Sequence, residues 1–125
     1  MAAIATKGLE AKSLERPEEV RRFVDKGAIS VVTVGGVTIG RGVFEPGWRW
    51  SQHVKPLAGT DSCQAAHLGY VLSGRMKIVM NDGAETELGP GDAFNIAPGH
   101  DAWTVGDEAC VMVDVVGFAE YAKQK

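Results

Sequence analysis

The sequence predicts an all-β domain, a sandwich or barrel of short strands. Three observations carry this. The 125 residues include 16 glycines, scattered and set beside Val, Pro, Asn or Asp, which marks many turns and no linker. From Ala28 onward the apolar residues fall into runs of four to eight with β-branched character. No helical pattern of three turns lies between those runs, which disfavours an α/β sheet.

Residues 1–27 read as an extension, in which Ser13 to Pro17, followed by Glu18 and Glu19, suits a short helical turn with proline at its first position. Ile29–Val34 and Val37–Phe44 flank Gly35-Gly36 as a two-residue hairpin. Trp48–Lys55 reads as a third strand. Gly69–Leu72 and Met76–Met80 follow, broken at Ser73-Gly74. Asn81-Asp82-Gly83 is a turn whose residues tolerate positive φ. Glu85–Leu88, Ala93–Ile96, Ala102–Val105 and Ala109–Val116 complete the set, with a further turn at Gly89-Pro90-Gly91-Asp92. The barrel domain is placed at 28–118, and 119–125 is a tail with room for a turn of helix.

The chain is large enough for one domain with a core that needs no disulfides. Hydrophobic residues make up 45% and charged residues 23%, a globular balance. The net charge is −3, and the basic residues form no stripe, so neither nucleic acid nor an anionic membrane surface is an expected partner. No apolar stretch is long enough to span a bilayer. Residues 1–10 contain no sustained apolar core of a signal peptide. Cys63 and Cys110 are therefore expected to be reduced thiols, and the expected compartment is the cytoplasm.

Chemistry concentrates on His53, His67 and His100, the three histidines of the chain. Imidazole is the commonest protein ligand for transition metals, and three such ligands leave positions open for water or substrate. Their surroundings resemble the two sequence motifs of the cupin superfamily. The first runs Gly, five residues, His-X-His, three or four residues, Glu, six residues, Gly. Gly47 and His53 match its start, Lys55 stands at the second histidine, His67 at the glutamate, and Gly74 at its end. Gly69 to Arg75 reads like its closing strand and turn, with Pro56–Ala66 as an inserted loop. In the second motif Gly91 and Gly99 match, Pro98 is displaced by one, and Ala102 and Gly106 replace its His and Asn. His100 precedes the expected histidine by two residues, which in a strand keeps the same face.

The resemblance covers about residues 37 to 117. It implies a double-stranded β-helix, or jelly-roll barrel. It also implies a divalent transition metal (Fe, Zn, Mn, Ni or Cu) on His53, His67 and His100. Histidine in place of glutamate keeps a ligand and removes a negative charge, which favours an anionic small molecule. Lys55, if it points inward, would hold a substrate carboxylate or phosphate or act as a base, and otherwise snorkels to the barrel mouth. Cys63 is either a soft extra ligand or a small buried hydrophobe. Gln64 and Ser51 are polar candidates near the site. Tyr70 and Trp103 are candidate pocket walls, or core and dimer packing, and Asp101 either orients His100 or caps a turn.

Three functions stay open on this reading. One is a metal-dependent dioxygenase, isomerase or lyase. Another is a module that binds a small molecule or metal without turnover. The third is a structural homodimer paired through Ile29–Val34.

Overall fold

The computed structural model describes residues 8–115. Among these residues, nine strands lie in two antiparallel sheets, joined by short turns. They are β1 Glu19–Arg22, β2 Gly27–Val34, β3 Val37–Phe44, β4 His67–Ser73, β5 Arg75–Met80, β6 Glu85–Leu88, β7 Ala93–Ile96, β8 His100–Val105 and β9 Cys110–Asp114. The larger sheet has the order β1-β2-β3-β9-β4-β7 and the smaller one β6-β5-β8. This is the jelly-roll architecture, with its sheets not closed into a barrel. The gap is a physical one: Ile78, Met80 and Thr86 on the smaller sheet and Asn95 and Ile96 on the larger line an open groove of about 300 Å³ where closure would occur.

The strands form for the reasons their sequences give. Gly35 and Gly36, at φ 59° and 77°, make the tight β2–β3 turn, and Val34 pairs with Val37 across it. On β8 His100, Ala102 and Thr104 point inward, and on β9 Cys110, Met112 and Asp114 do so. The core between the sheets includes Ile29, Val71, Ile78, Phe94 and Met112. One end is closed by Phe23, Phe44 and Trp48, with Trp48 edge-on to Phe44 at 4.6 Å between ring centroids.

Three expectations are corrected. The segment Trp48–Lys55 is not a strand: it coils into α1 Trp50–His53, followed by α2 Lys55–Ala58. Trp50 and Val54 are buried and Ala58 packs against the core, a four-residue spacing that fits a helical face and not a strand. Residues 19–22 form β1 on the edge of the larger sheet, where the backbone of Glu19 to Arg22 pairs with Val31 to Ala28. As a result, β2 is not an edge strand over Ala28–Val31, which pairs with β1 on one side and β3 on the other. The end of the Ala109–Val116 run and the tail 119–125 lie outside the described residues.

Candidate metal centre

Cys63, His67 and His100 meet between the sheets, all three buried, with one potential ligand atom from each within 4.8 Å of the others. Each arrives from a different element. His67 opens β4 in the larger sheet, where it pairs with Ile96. His100 opens β8 in the smaller sheet. Cys63 lies on the loop before β4, and three backbone hydrogen bonds tie it to the start of β8. Its N–H donates to the carbonyl of His100 at 2.8 Å, and its carbonyl accepts the N–H groups of Gly99 at 2.7 Å and His100 at 3.3 Å.

Neighbouring groups set the tautomers. His67 Nδ1 lies 2.5 Å from Oδ2 of Asp114, a carboxylate with no exposed surface. Donation of Nδ1–H to that carboxylate leaves Nε2 bare, and Nε2 is 3.7 Å from Cys63 Sγ. His100 Nδ1 donates to the carbonyl of Ala97 at 2.8 Å, which leaves its Nε2 bare as well. An imidazole that ligates a metal through one ring nitrogen is oriented by an acceptor for the N–H of the other. On both neighbouring strands the residue paired with Asp114 is a glycine, Gly40 and Gly69.

Burial pushes the Cys63 thiol up to about 11, so without an ion it keeps its proton. Burial also holds His100 below its usual value, with His67 beside it adding to the effect. A sign for stability follows. Above pH 6.5 His100 is neutral folded or unfolded. As pH falls further, the unfolded chain takes a proton that the folded one resists, so stability falls. Metal-free protein is expected to show a lower urea midpoint at pH 5.5 than at 7.5, and His100→Gln is expected to narrow that gap. An unchanged gap in the variant would remove His100 as its source.

A cavity of about 30 Å³ adjoins the two histidines. Its other walls are Phe44, Trp48, Trp50, Phe94 and a set of aliphatic and methionine side chains.

The structure sets the other singled-out residues apart from this cluster. His53 ends α1, where its Nδ1 accepts the N–H of Arg49 at 3.0 Å. Lys55 starts α2, and its Nζ lies 3.8 Å from Asp61 on a half-exposed side chain. The coiling of 48–55 removes the alternation that would have aimed both inward. Ser51 gives its N–H to Asp101, whose Oδ1 also accepts the N–H of Ala102, so Asp101 holds the start of α1, while the ring of His100 bonds to Ala97 instead. Gln64 is exposed and donates to Ser62. Tyr70 is 45% exposed on the outer face of β4. Trp103 faces outward under the guanidinium of Arg49, 4.2 Å from its ring centroid.

Trp48 and Trp50, read from the sequence either as core packing or as an apolar wall around a small molecule, line the cavity, and Asp114 is the site residue that sequence reading missed. Asp114 was detectable as an acidic residue in phase with Cys110 and Met112 on a Val-rich strand. Counting the first motif backward from Gly74 and His67 puts Cys63 at its second histidine and exposed Asp61 at its first, with no inserted loop.

Residues 60–116 match the family described as Cupin domain. No curated protein sequence matches the chain. Among solved structures, it resembles the polyketide cyclase RemF from Streptomyces resistomycificus, with TM-score 0.61, 16% identity, and coverage of 93% of this chain and 81% of that one. A single-residue variant of oxalate decarboxylase from Bacillus subtilis aligns with TM-score 0.59 and 18% identity over 96% of this chain and 34% of its own. A cupin-like protein from Thermotoga maritima aligns with TM-score 0.54 and 17% identity over 79% of this chain and 74% of its own. The family match over residues 60–116 and the two-sheet jelly-roll fold shared with the solved structures both support the cupin superfamily.

Proposed function

We propose that this protein holds a divalent transition metal on Cys63, His67 and His100 and binds a small molecule beside it. The observation that carries the reading is the His67–Asp114 pair, which fixes a bare imidazole nitrogen facing a buried thiol. One thiolate and two neutral imidazoles suit zinc or copper better than magnesium or calcium. When bound, such an ion supplies a Lewis acid that polarises an oxygen or nitrogen donor of the ligand.

The chain's own residues do the rest. Cys63 gives up its proton on ligation and lowers the charge of the site by one relative to three histidines, so the pull on an anion is weaker than the motif comparison implied. Asp114 holds His67 in one tautomer. The apolar walls keep water scarce. Lys55 takes no part in this reading, because its ammonium lies beside Asp61.

The solved relatives named above include a decarboxylase and a cyclase, and an enzyme is one reading of the site. A binding module without turnover is the second. It is supported by the cavity walls, where His67 and His100 are the ionisable side chains, so no separate general acid or base stands there among the described residues.

The test is metal content by mass spectrometry after reconstitution with Zn(II), Cu(II), Ni(II), Mn(II) or Fe(II). Near-stoichiometric metal is expected in the wild type and in His53→Ala. Loss is expected in Cys63→Ser, His67→Ala and His100→Ala. A wild type that stays metal-free, or loss only in His53→Ala, would overturn the assignment.

A further inference from the structure

We infer that the cavity beside Cys63, His67 and His100 receives a slim anion of two or three heavy atoms, and that the indole N–H of Trp48 is the donor that orients it. The inference rests on the metal reading above and deepens it by naming a ligand class.

Trp48 is 1% exposed, and its Nε1 is the buried side-chain nitrogen or oxygen without a hydrogen-bond partner among the described residues. A buried donor left without an acceptor is costly, and native interiors rarely keep one without a reason. Trp48 cannot easily turn to find solvent. Its ring is wedged edge-on against Phe44 at 4.6 Å and tilted against Phe23 at 5.6 Å. Its carbonyl accepts the N–H of Thr104 at 3.0 Å, which ties its backbone to β8.

Trp48 lines the same cavity as His67 and His100. An indole N–H only donates, so its complement must offer a lone pair. A ligand that meets a metal at one end and Trp48 at the other needs an acceptor at both ends. An anion gains most, since a hydrogen bond to a charged acceptor is the stronger kind. Size sets the upper bound: at roughly 10–15 Å³ for each water-sized group, about 30 Å³ admits two or three of them. Ile78 and Ile96 wall both this cavity and the outer groove, and an aromatic acid exceeds the volume of the cavity behind them.

Azide is a suitable probe, being linear, triatomic and an acceptor at both ends. In zinc-loaded, 15N-labelled protein the Trp48 indole signal is identified by its loss in Trp48→Phe. On azide titration it should shift downfield and saturate, while the signal of Trp103, which does not line the cavity, moves little. Azide affinity in Trp48→Phe should fall roughly ten-fold or more, and benzoate should produce no shift. Equal azide affinity in Trp48→Phe with an unmoved Trp48 signal would overturn the inference and leave the metal assignment standing. Tight benzoate binding would overturn the size limit. Zinc retention is measured first, and its failure would remove the metal reading and this inference with it.

Discussion

Replacing Asp114 with alanine is expected to weaken zinc binding by about ten- to a hundred-fold, the usual cost of losing a carboxylate behind a ligating histidine. The same change should lower the folding stability. Asp114 is fully buried, and its removal strands the Nδ1–H of His67 in a dry interior. A stranded buried donor costs about 1–3 kcal/mol, a large share of a domain's total of about 5–15 kcal/mol. Asp114→Asn separates the two effects, since it keeps an acceptor oxygen and loses the charge. It should restore most of the stability and only part of the zinc affinity. Chelator competition and urea unfolding read the two quantities separately. Wild-type zinc affinity in Asp114→Ala would show that His67 does not depend on this partner for ligation.

The second large effect is expected at Gly74, where the chain leaves the larger sheet and enters the smaller one. Its φ of 75° is left-handed, and a Cβ there would lie 2.2 Å from the carbonyl oxygen of Ala109 and 2.6 Å from Cα of Cys110. Both obstacles are backbone, so neither can swing aside. Gly74→Ala therefore combines conformational strain with a forced shift of β9 against the corner. The expected loss is about 4 kcal/mol or more, in the exceptional range for a single change. Gly83→Ala is the control: its φ is 94°, but nothing lies within 4 Å of the added carbon. That variant should lose only the conformational part, about 1–2 kcal/mol. Equal losses at the two positions by thermal or urea unfolding would mean that the clash at the corner is relieved.

Much of the fold was legible because period-two runs and glycine turns are local signals. The hairpin at Gly35-Gly36 and β3, β6 and β7 fell where their residues placed them. Helix α1 was not legible as helix, since four residues form no stable helix alone. Its conformation is imposed by burial of Trp50 and Val54, and the spacing of those two was the available clue. The site was legible in its ingredients and less so in its assembly. His67, His100 and Cys63 were all singled out, but their meeting depends on a loop-to-β8 bridge that no periodicity encodes. His53 was drawn in by a glycine spacing that presumed an extended chain. The pairing of Asp114 was not legible because its partner, His67, lies 47 residues away on β4, a contact that no local spacing encodes.

The two histidines of the cluster stand on opposite sheets, and those sheets share no ladder across the open groove. An ion held by both would act as a rivet through the sandwich. Its occupancy would then govern how long the folded molecule lasts, because spreading the sheets would first require releasing the ion. At free metal a hundred times the dissociation constant, this fastening adds about 2.7 kcal/mol. In metal-poor surroundings the same chain would open more often along the groove and present Ile78 and Ile96 to proteases. Metal supply would thus set the lifetime of the protein as well as its chemistry.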